Sequence, residues 1–414
     1  MQRYDTYKDS GVKWLGEIPS HWEVKHLRNF LTLFSEKGYG NSQLLSVTRE
    51  KGVILRDKEN KEENHNFVPD DLSGYKHLEA GDFVINKMKS WQGSYGVSDY
   101  EGIVSPAYFT CKLHGVNPQF FSRAIRSKAY VGFFMQYSKG IRVDQWDLDP
   151  SSMKDIPFIL PPFDEQTAIA SYLDTATAKI DAAIAQQQKM IDLLNERKQI
   201  IINRAVTKGL NPNAKMKDSG VEWIGEVPEG WEVRRLKYLL RQITAPSSSL
   251  NKIGLENIES GTGKFVKTNS EYEGNGIQFE KGDILYGKLR PYLKKVFLAE
   301  ESGNAVGDFF VFRPNDKVEG KYMQLVLLSQ TLTDEINSST YGAKMPRVSI
   351  DFMGGLNIPS PSLDEQKEIV ETIHKNCKPI DDAISVANNQ ISLLQERKQI
   401  IINEVVTGKV KVTN

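Results

Sequence analysis

Lys87, Lys89, Trp91, Gln92, Ser94 and Tyr95 form a short run in which cations alternate with aromatic, amide and hydroxyl side chains; Lys139, Arg142 and Gln145 form a second. Further along, Lys288, Arg290, Tyr292, Lys294 and Lys295 restate the first run, and Lys344 and Arg347 the second. Arginine and lysine bond phosphate or the O6 and N7 of guanine, and glutamine pairs with adenine, so side chains of this kind suit contact with DNA. One such run alone reads first as a solvated strand end beside packing aromatics. Recurrence at equivalent places turns the reading toward DNA.

Other chemistry finds less support. Leu160-Pro-Pro-Phe163 is similar to the [ND]-PP-[FY] motif of amino-methyltransferases, but leucine stands at the required polar position, and the counterpart reads Ser360-Pro-Ser-Leu363. A turn into a helix accounts for it. Gly261-Thr-Gly-Lys264 lacks the full pattern of a phosphate-binding loop. Without that loop the Asp-Glu-Gln triplets at 164–166 and 364–366 are not helicase motifs; acids at a helix start are favoured by the helix dipole. His21, His26, His65, His77, His114 and His374 show no metal-ligand spacing, and Cys111 and Cys377 are too far apart in sequence to suggest a disulfide framework. The acids at 57–71 are mixed with Lys and Asn and read as a solvated loop. No catalytic residue and no metal site is expected.

These runs lie inside a doubled frame. KDSGVKWLGEIPSHWEV at 8–24 returns as KDSGVEWIGEVPEGWEV at 217–233, identical at twelve of seventeen positions, and ERKQIIIN at 196–203 returns unchanged at 396–403. From Asp164 to about Thr207 and from Asp364 to about Thr407 glycine is absent and apolar residues recur at helical spacing. Ile180, Ile184, Gln187, Ile191, Leu194, Lys198, Ile201 and Ala205, with Ile380, Ile384, Ala387, Ile391, Leu394, Lys398, Ile401 and Val405, trace two coiled-coil seams expected to pair with each other. Ordinary amphipathic helices on a globular core are the alternative. Pro379 should kink or restart the second helix, and Ser362 with Glu365 has capping-box spacing. A helix of ~40 residues spans roughly 60 Å and could act as a ruler.

The inserts between frame elements are rich in Gly, aromatics and β-branched residues; Asp82-Phe-Val-Ile-Asn and Phe309-Phe-Val-Phe read as strands of mixed α/β domains. Glu79, Gly81, Asp82, Lys87, Lys89 and Trp91 match Glu280, Gly282, Asp283, Lys288, Arg290 and Tyr292, and Arg142-Val143 is set against Arg347-Val348. The motif at Lys217 follows the first helix while its copy at Lys8 has none before it, so the C-terminal helix should serve there. The chain would then close into a ring with neighbouring termini. At 414 residues, two or more domains are expected. Lys plus Arg equals Asp plus Glu, leaving only local patches for a polyanion. With no apolar leader at the N-terminus and no membrane-length apolar run, a soluble cytoplasmic protein is expected.

Over essentially its whole length the chain resembles the specificity subunits of type I restriction-modification systems. The resemblance rests on the doubled KDSGV-x-W-x-GE-x-P-xx-WEV element, the Asp-Glu-Gln helix starts, the ERKQIIIN helices, and the strings GDFVINKMKSWQG and GDILYGKLRPYLKK. It implies an α+β fold: two α/β target recognition domains separated by two long helices in an antiparallel coiled coil, in a pseudo-twofold circular arrangement. The parts would be a repeat element at 1–24, recognition domain 1 at 25–162, a helix at 163–209, a linker and second repeat element at 210–233, recognition domain 2 at 234–361 and a second helix at 362–414. Each recognition domain would read half of a bipartite, asymmetric double-stranded DNA target. The expected partners are two modification subunits and ATP-dependent restriction subunits, which would bind S-adenosylmethionine, ATP and Mg; this chain would bind no cofactor and do no catalysis. Two alternatives are a specificity subunit for a fused nuclease-methyltransferase, separable by the neighbouring genes, and a coiled-coil protein scaffold lacking salt-dependent DNA affinity.

Overall fold

The computed structural model describes residues 2–13, 15–56, 68–140, 146–247, 251–270, 272, 274–342 and 345–412. Two compact units divide the chain, one of residues 1–187 with 389–414, the other of 188–388. Each long helix is shared between them.

In the first unit a four-stranded antiparallel sheet runs in the order Leu31–Phe34, Phe109–Leu113, Phe83–Ile85, Tyr95–Val97. Every residue of Phe83–Ile85 is buried because both faces are covered. Phe83 and Ile85 join the core that includes Phe121 and Phe134 of helices Pro118–Ile125 and Lys128–Tyr137. Val84 points the other way, onto Leu45, Val47 and Val53 of the hairpin Leu45–Thr48 and Gly52–Leu55.

The second unit repeats the plan: Leu240–Ile243, Phe309–Pro314, Ile284–Gly287, Val296–Leu298, with helices Gly320–Leu328 and Gln330–Ser338. Ile284 and Tyr286 face the helices while Leu285 faces a separate cluster with Ile253 and Phe279.

Glycines 81 and 282 turn with φ of +97° and +89°, where a side chain would be strained. The following Asp82 and Asp283 accept the N–H of Glu79 and Glu280, each at 2.8 Å, and pair with Lys112 and Arg313 on the neighbouring strand. That gives a structural reason for half of the kinship between the inserts.

The long helices are Phe163–Lys208 and Leu363–Val406. In the first unit Leu173 shares a core with Val405, and Lys398 bonds Asp181 at 2.6 Å; in the second Ile202 shares a core with Ile373, and Lys198 bonds Asp381 at 2.6 Å. Later residues of one helix thus meet earlier residues of the other, an antiparallel pairing. Ile180, Ile191, Ile380, Ala387, Ala205 and Val405 are buried, and Ile184, Gln187, Leu194, Lys198, Ile201, Ile384, Ile391, Leu394, Lys398 and Ile401 half-buried, while the 195–197 and 395–397 segments are exposed. The second helix continues through Pro379 without restarting. Proline removes only one backbone bond, and the carbonyl it frees belongs to an exposed turn.

Each helix ends at a glycine pressed against a frame tryptophan. Gly209 has φ +70°, and an added Cβ would lie 3.1 Å from Trp231; Gly408 has φ +73°, with a Cβ 2.3 Å from Pro19 and 2.9 Å from Trp22. Both positions therefore require glycine. Val405, Val406 and Val410 enter the core of Tyr4, Ile18 and Trp22, and Gln2 bridges to Lys411. The C-terminal helix supplies what precedes the Lys8 motif, and the chain ends are neighbours.

Candidate nucleic-acid interface

The Asp-Glu-Gln triplets anchor segments distant in sequence to the long helices. Glu165 accepts from Trp22 Nε1 at 3.0 Å and Tyr4 Oη at 2.9 Å and pairs with His21 Nε2 at 2.5 Å; Glu365 accepts from Trp231 Nε1 at 2.9 Å. Burial raises the Glu165 carboxyl, but the bonds from His21, Trp22 and Tyr4 outweigh it and hold the group below the ordinary glutamate range. Gln166, buried, accepts from Asn117 N and donates to Pro161 O, and Gln366 does the same with Glu319 N and Pro361 O, all within 2.9 Å. Beyond the helix dipole, Glu and Gln of each triplet clamp segments distant in sequence. Of the capping box only the Ser362 half forms, at 3.4 Å, because Glu365 turns to tryptophan. Pro161 O, committed to Gln166, sits in a turn into a helix.

On these anchors each unit presents the same device: a strand, a basic loop with one turn of 3-10 helix, and the next strand. In the first unit the loop runs from Asn86 through Ser90–Gln92 to Tyr95; in the second from Lys288 through Pro291–Leu293 to Val296. The second basic run lies beside the first in both. Leu148 N donates to Lys87 O at 3.1 Å in a strand paired with Ser138–Lys139, and Val348 N donates to Lys288 O at 3.2 Å. Leu148 is therefore the counterpart of Val348 and Asp147 that of Arg347. This corrects the pairing of Arg142-Val143 with Arg347-Val348, which similarity of two residues could not register.

The expected DNA-contact residues separate by burial and partners. Tyr95 is fully buried, its ring 4.0 Å from that of Phe134, and Ser94 is buried too; both belong to the fold, not to an exposed surface. Tyr95 opens the buried strand Tyr95–Val97, a sheet position and not part of the exposed loop. Trp91 is half-buried, its ring 5.2 Å from Trp146, and Gln92 is half-buried. Lys87 bonds Asp147 at 3.0 Å. In the second unit Lys288 at 3.7 Å and Arg347 at 2.8 Å share Asp308, Lys294 bonds Gln330 Oε1 at 2.5 Å, and Lys295 bonds Leu255 O at 2.8 Å. Burial lowers the Lys294 ammonium from its ordinary value. Lys89, Lys139 and Tyr292 are exposed and Arg290 is half-exposed, and none of the three cations has an ion pair among the described residues. Arg142, Gln145 and Lys344 lie outside the described residues. The counter-ions Asp147 and Asp308 were missed, since only the fold brings them to the lysines.

Arg290 and Lys294 have φ of +50° and +49°, the only non-glycine residues at positive φ among those described. Such strain persists only where the surroundings enforce it, and it clusters at functional sites. Arg290 is held by its N–H on Pro346 O at 2.7 Å. In the Gly261–Lys264 loop the N–H groups of Gly261 and Gly263 already bond Lys294 O and Glu259 O, so they are not aimed at a phosphate. Among the described residues no group of three or more His, Cys, Asp or Glu could hold a metal ion, and no helix is long and apolar enough to cross a membrane.

Residues 228–392 match the family model described as "Type I restriction modification DNA specificity domain". The putative type I restriction enzyme MjaX specificity subunit of Methanocaldococcus jannaschii is 26% identical over 98% of both chains. The matched segment and this relative support a type I restriction-modification specificity subunit. The EcoDI specificity subunit of Escherichia coli is 24% identical to this chain over 62% of each. In structure it is similar, with TM-score 0.64 and 13% identity over 95% of this chain and 99% of the other, to one solved under the heading "Structural basis underlying complex assembly and conformational transition of the type I R-M system". That likeness shows the fold alone.

Proposed function

We propose that this chain is the DNA-reading, non-catalytic subunit of a type I restriction-modification complex. Each unit reads one half of a bipartite, asymmetric DNA target and positions modification and restriction subunits, which bind S-adenosylmethionine, ATP and Mg. The observation that carries this reading is the basic strand–loop–strand device, present in both units on the same frame with different side chains. Shared frame geometry suits two like partners, and differing loops suit two unlike half-sites. The exposed or half-exposed cations Lys89, Lys139 and Arg290 are proposed as DNA contacts, and Lys87, Lys288 and Arg347 as contacts that must exchange an aspartate for DNA.

Adenine methylation mapped genome-wide in cells carrying this gene with its neighbouring partner genes, and in cells lacking this gene alone, tests the reading. Loss of one bipartite, asymmetric motif is expected. Methylation unchanged in a demonstrably active system would refute it.

A further inference from the structure

Besides the basic loop, the first unit brings a hairpin tip to the same edge. Strands Leu45–Thr48 and Gly52–Leu55 are joined by Arg49, Glu50 and Lys51, all exposed; Arg49 and Lys51 have no ion pair among the described residues. The tip is closed by Thr48, whose hydroxyl bonds Gly52 O and Lys51 N at 3.1 Å each. It lies against the far end of the basic loop: a Cβ on Gly96 would be 3.4 Å from Gly52 Cα, and one on Gly93 3.9 Å from Arg49 O.

Arg126 holds this arrangement from below. Its guanidinium donates to Tyr95 O at 2.6 Å, Glu50 O at 2.7 Å and Arg49 O at 3.1 Å, and no carboxylate pairs with it among the described residues. Burial lowers its pKa from the ordinary value, but arginine stays charged. A half-buried cation satisfied only by carbonyls keeps its field, which reaches the surface above it. The second unit shows that the fold does not need that charge. There the Glu259–Lys264 loop occupies the matching place, with Gly261 N on Lys294 O, and the neutral Gln324 amide donates to Val296 O at 3.1 Å, where Arg126 donates to Tyr95 O.

We infer that the Arg49–Lys51 tip is a further DNA-contact element of the first unit, its two cations set on backbone phosphates, with Arg126 as its positioning residue. This rests on the DNA-reading function proposed above. Glu50, between the two cations, disfavours phosphate at its own position and confines contact to the tip's flanks.

The test uses the full chain purified with the modification subunits encoded beside it. The probe is a duplex carrying the motif recovered from the methylation map, against a scrambled duplex, with affinity measured across salt concentration. Arg49→Ala with Lys51→Ala should reduce the slope of log affinity against log salt by about 1.8, two phosphates' worth. Arg126→Gln, which removes the charge and keeps an amide donor, should weaken binding with its thermal midpoint kept, and Arg126→Lys should restore part of the loss. An unchanged slope and affinity in the double variant, while wild type still prefers the motif, overturns the inference and leaves the proposed function standing. No preference by wild type for the motif duplex overturns both.

Discussion

The two basic loops are built to one plan and stocked differently. In the first, the 3-10 turn ends at Gly93 with φ +92°, and Lys89, exposed and without an ion pair among the described residues, enters it from a relaxed φ of −127°. In the second, the same two places are held by Arg290 and Lys294, both left-handed, and Lys288, Lys294, Lys295 and Arg347 are each tied to a neighbouring oxygen. Among the described residues, one loop offers a cation without an ion pair on a relaxed backbone, and the other a single arginine without one on a strained and heavily bonded backbone. The frames differ far less. Under the proposed function, shared anchors with unlike loops would let one assembly read two unlike half-sites.

The frame is where the comparison breaks most readily. Glu165 serves three partners and Glu365 one tryptophan, Gly230 standing where the first copy has His21. Glu165→Gln should destabilise the first unit by about 3 kcal/mol and Glu365→Gln the second by about 1 kcal/mol, since bonds to a charged acceptor contribute about 1.5–3 kcal/mol each and are not additive. Because the Glu165 pKa is lowered in the folded state, its contribution is full above the ordinary glutamate range and is lost as pH falls through the lowered value. Chemical denaturation should therefore show the gap between wild type and Glu165→Gln narrowing below about pH 4. A gap that widens in acid would remove Glu165 as the anchor.

The loops come next. Arg290→Ala should cost roughly 1–3 kcal/mol of binding and relax one half-site only, and Lys89→Ala should weaken all sequences alike and lower the salt slope by about 0.9. Binding to duplexes altered in one half-site at a time separates the two outcomes. Equal relaxation of both half-sites by Arg290→Ala would make it a phosphate contact or a fold support.

Much of this architecture is written in local pattern. Apolar spacing and the absence of glycine place both helices within a residue or two of their ends, and Asp82–Asn86 and Phe309–Phe312 read as strands because β-branched and aromatic residues crowd them. Tyr95 misled because an aromatic beside cations looks alike on a loop and at the first position of a buried strand. The Glu165 and Gln166 clamps were hidden for another reason: their partners Trp22 and Asn117 lie 143 and 49 residues away, and no local pattern encodes such a distance. The helix does not restart at Pro379, since one lost bond on an exposed helix face does not end a helix already packed along its seam.

The smallest effect probes the strain directly. Gly93 and Lys294 occupy the same C-terminal place in their 3-10 turns, and an added Cβ at Gly93 would touch Val131 at an ordinary 3.5 Å, so space is not what requires glycine there. Backbone conformation is. Gly93→Ala should therefore cost about 1 kcal/mol of stability, the cost of a non-glycine residue at positive φ. Lys294→Gly relieves that strain but loses the bond to Gln330 and frees an unfolded-state glycine, so it should fall within about 0.5 kcal/mol of wild type. Thermal unfolding of the two variants decides whether the loops differ in stored strain. If Lys294→Gly costs as much as Gly93→Ala, the bond to Gln330 outweighs the strain, and the second loop is held by its contacts alone.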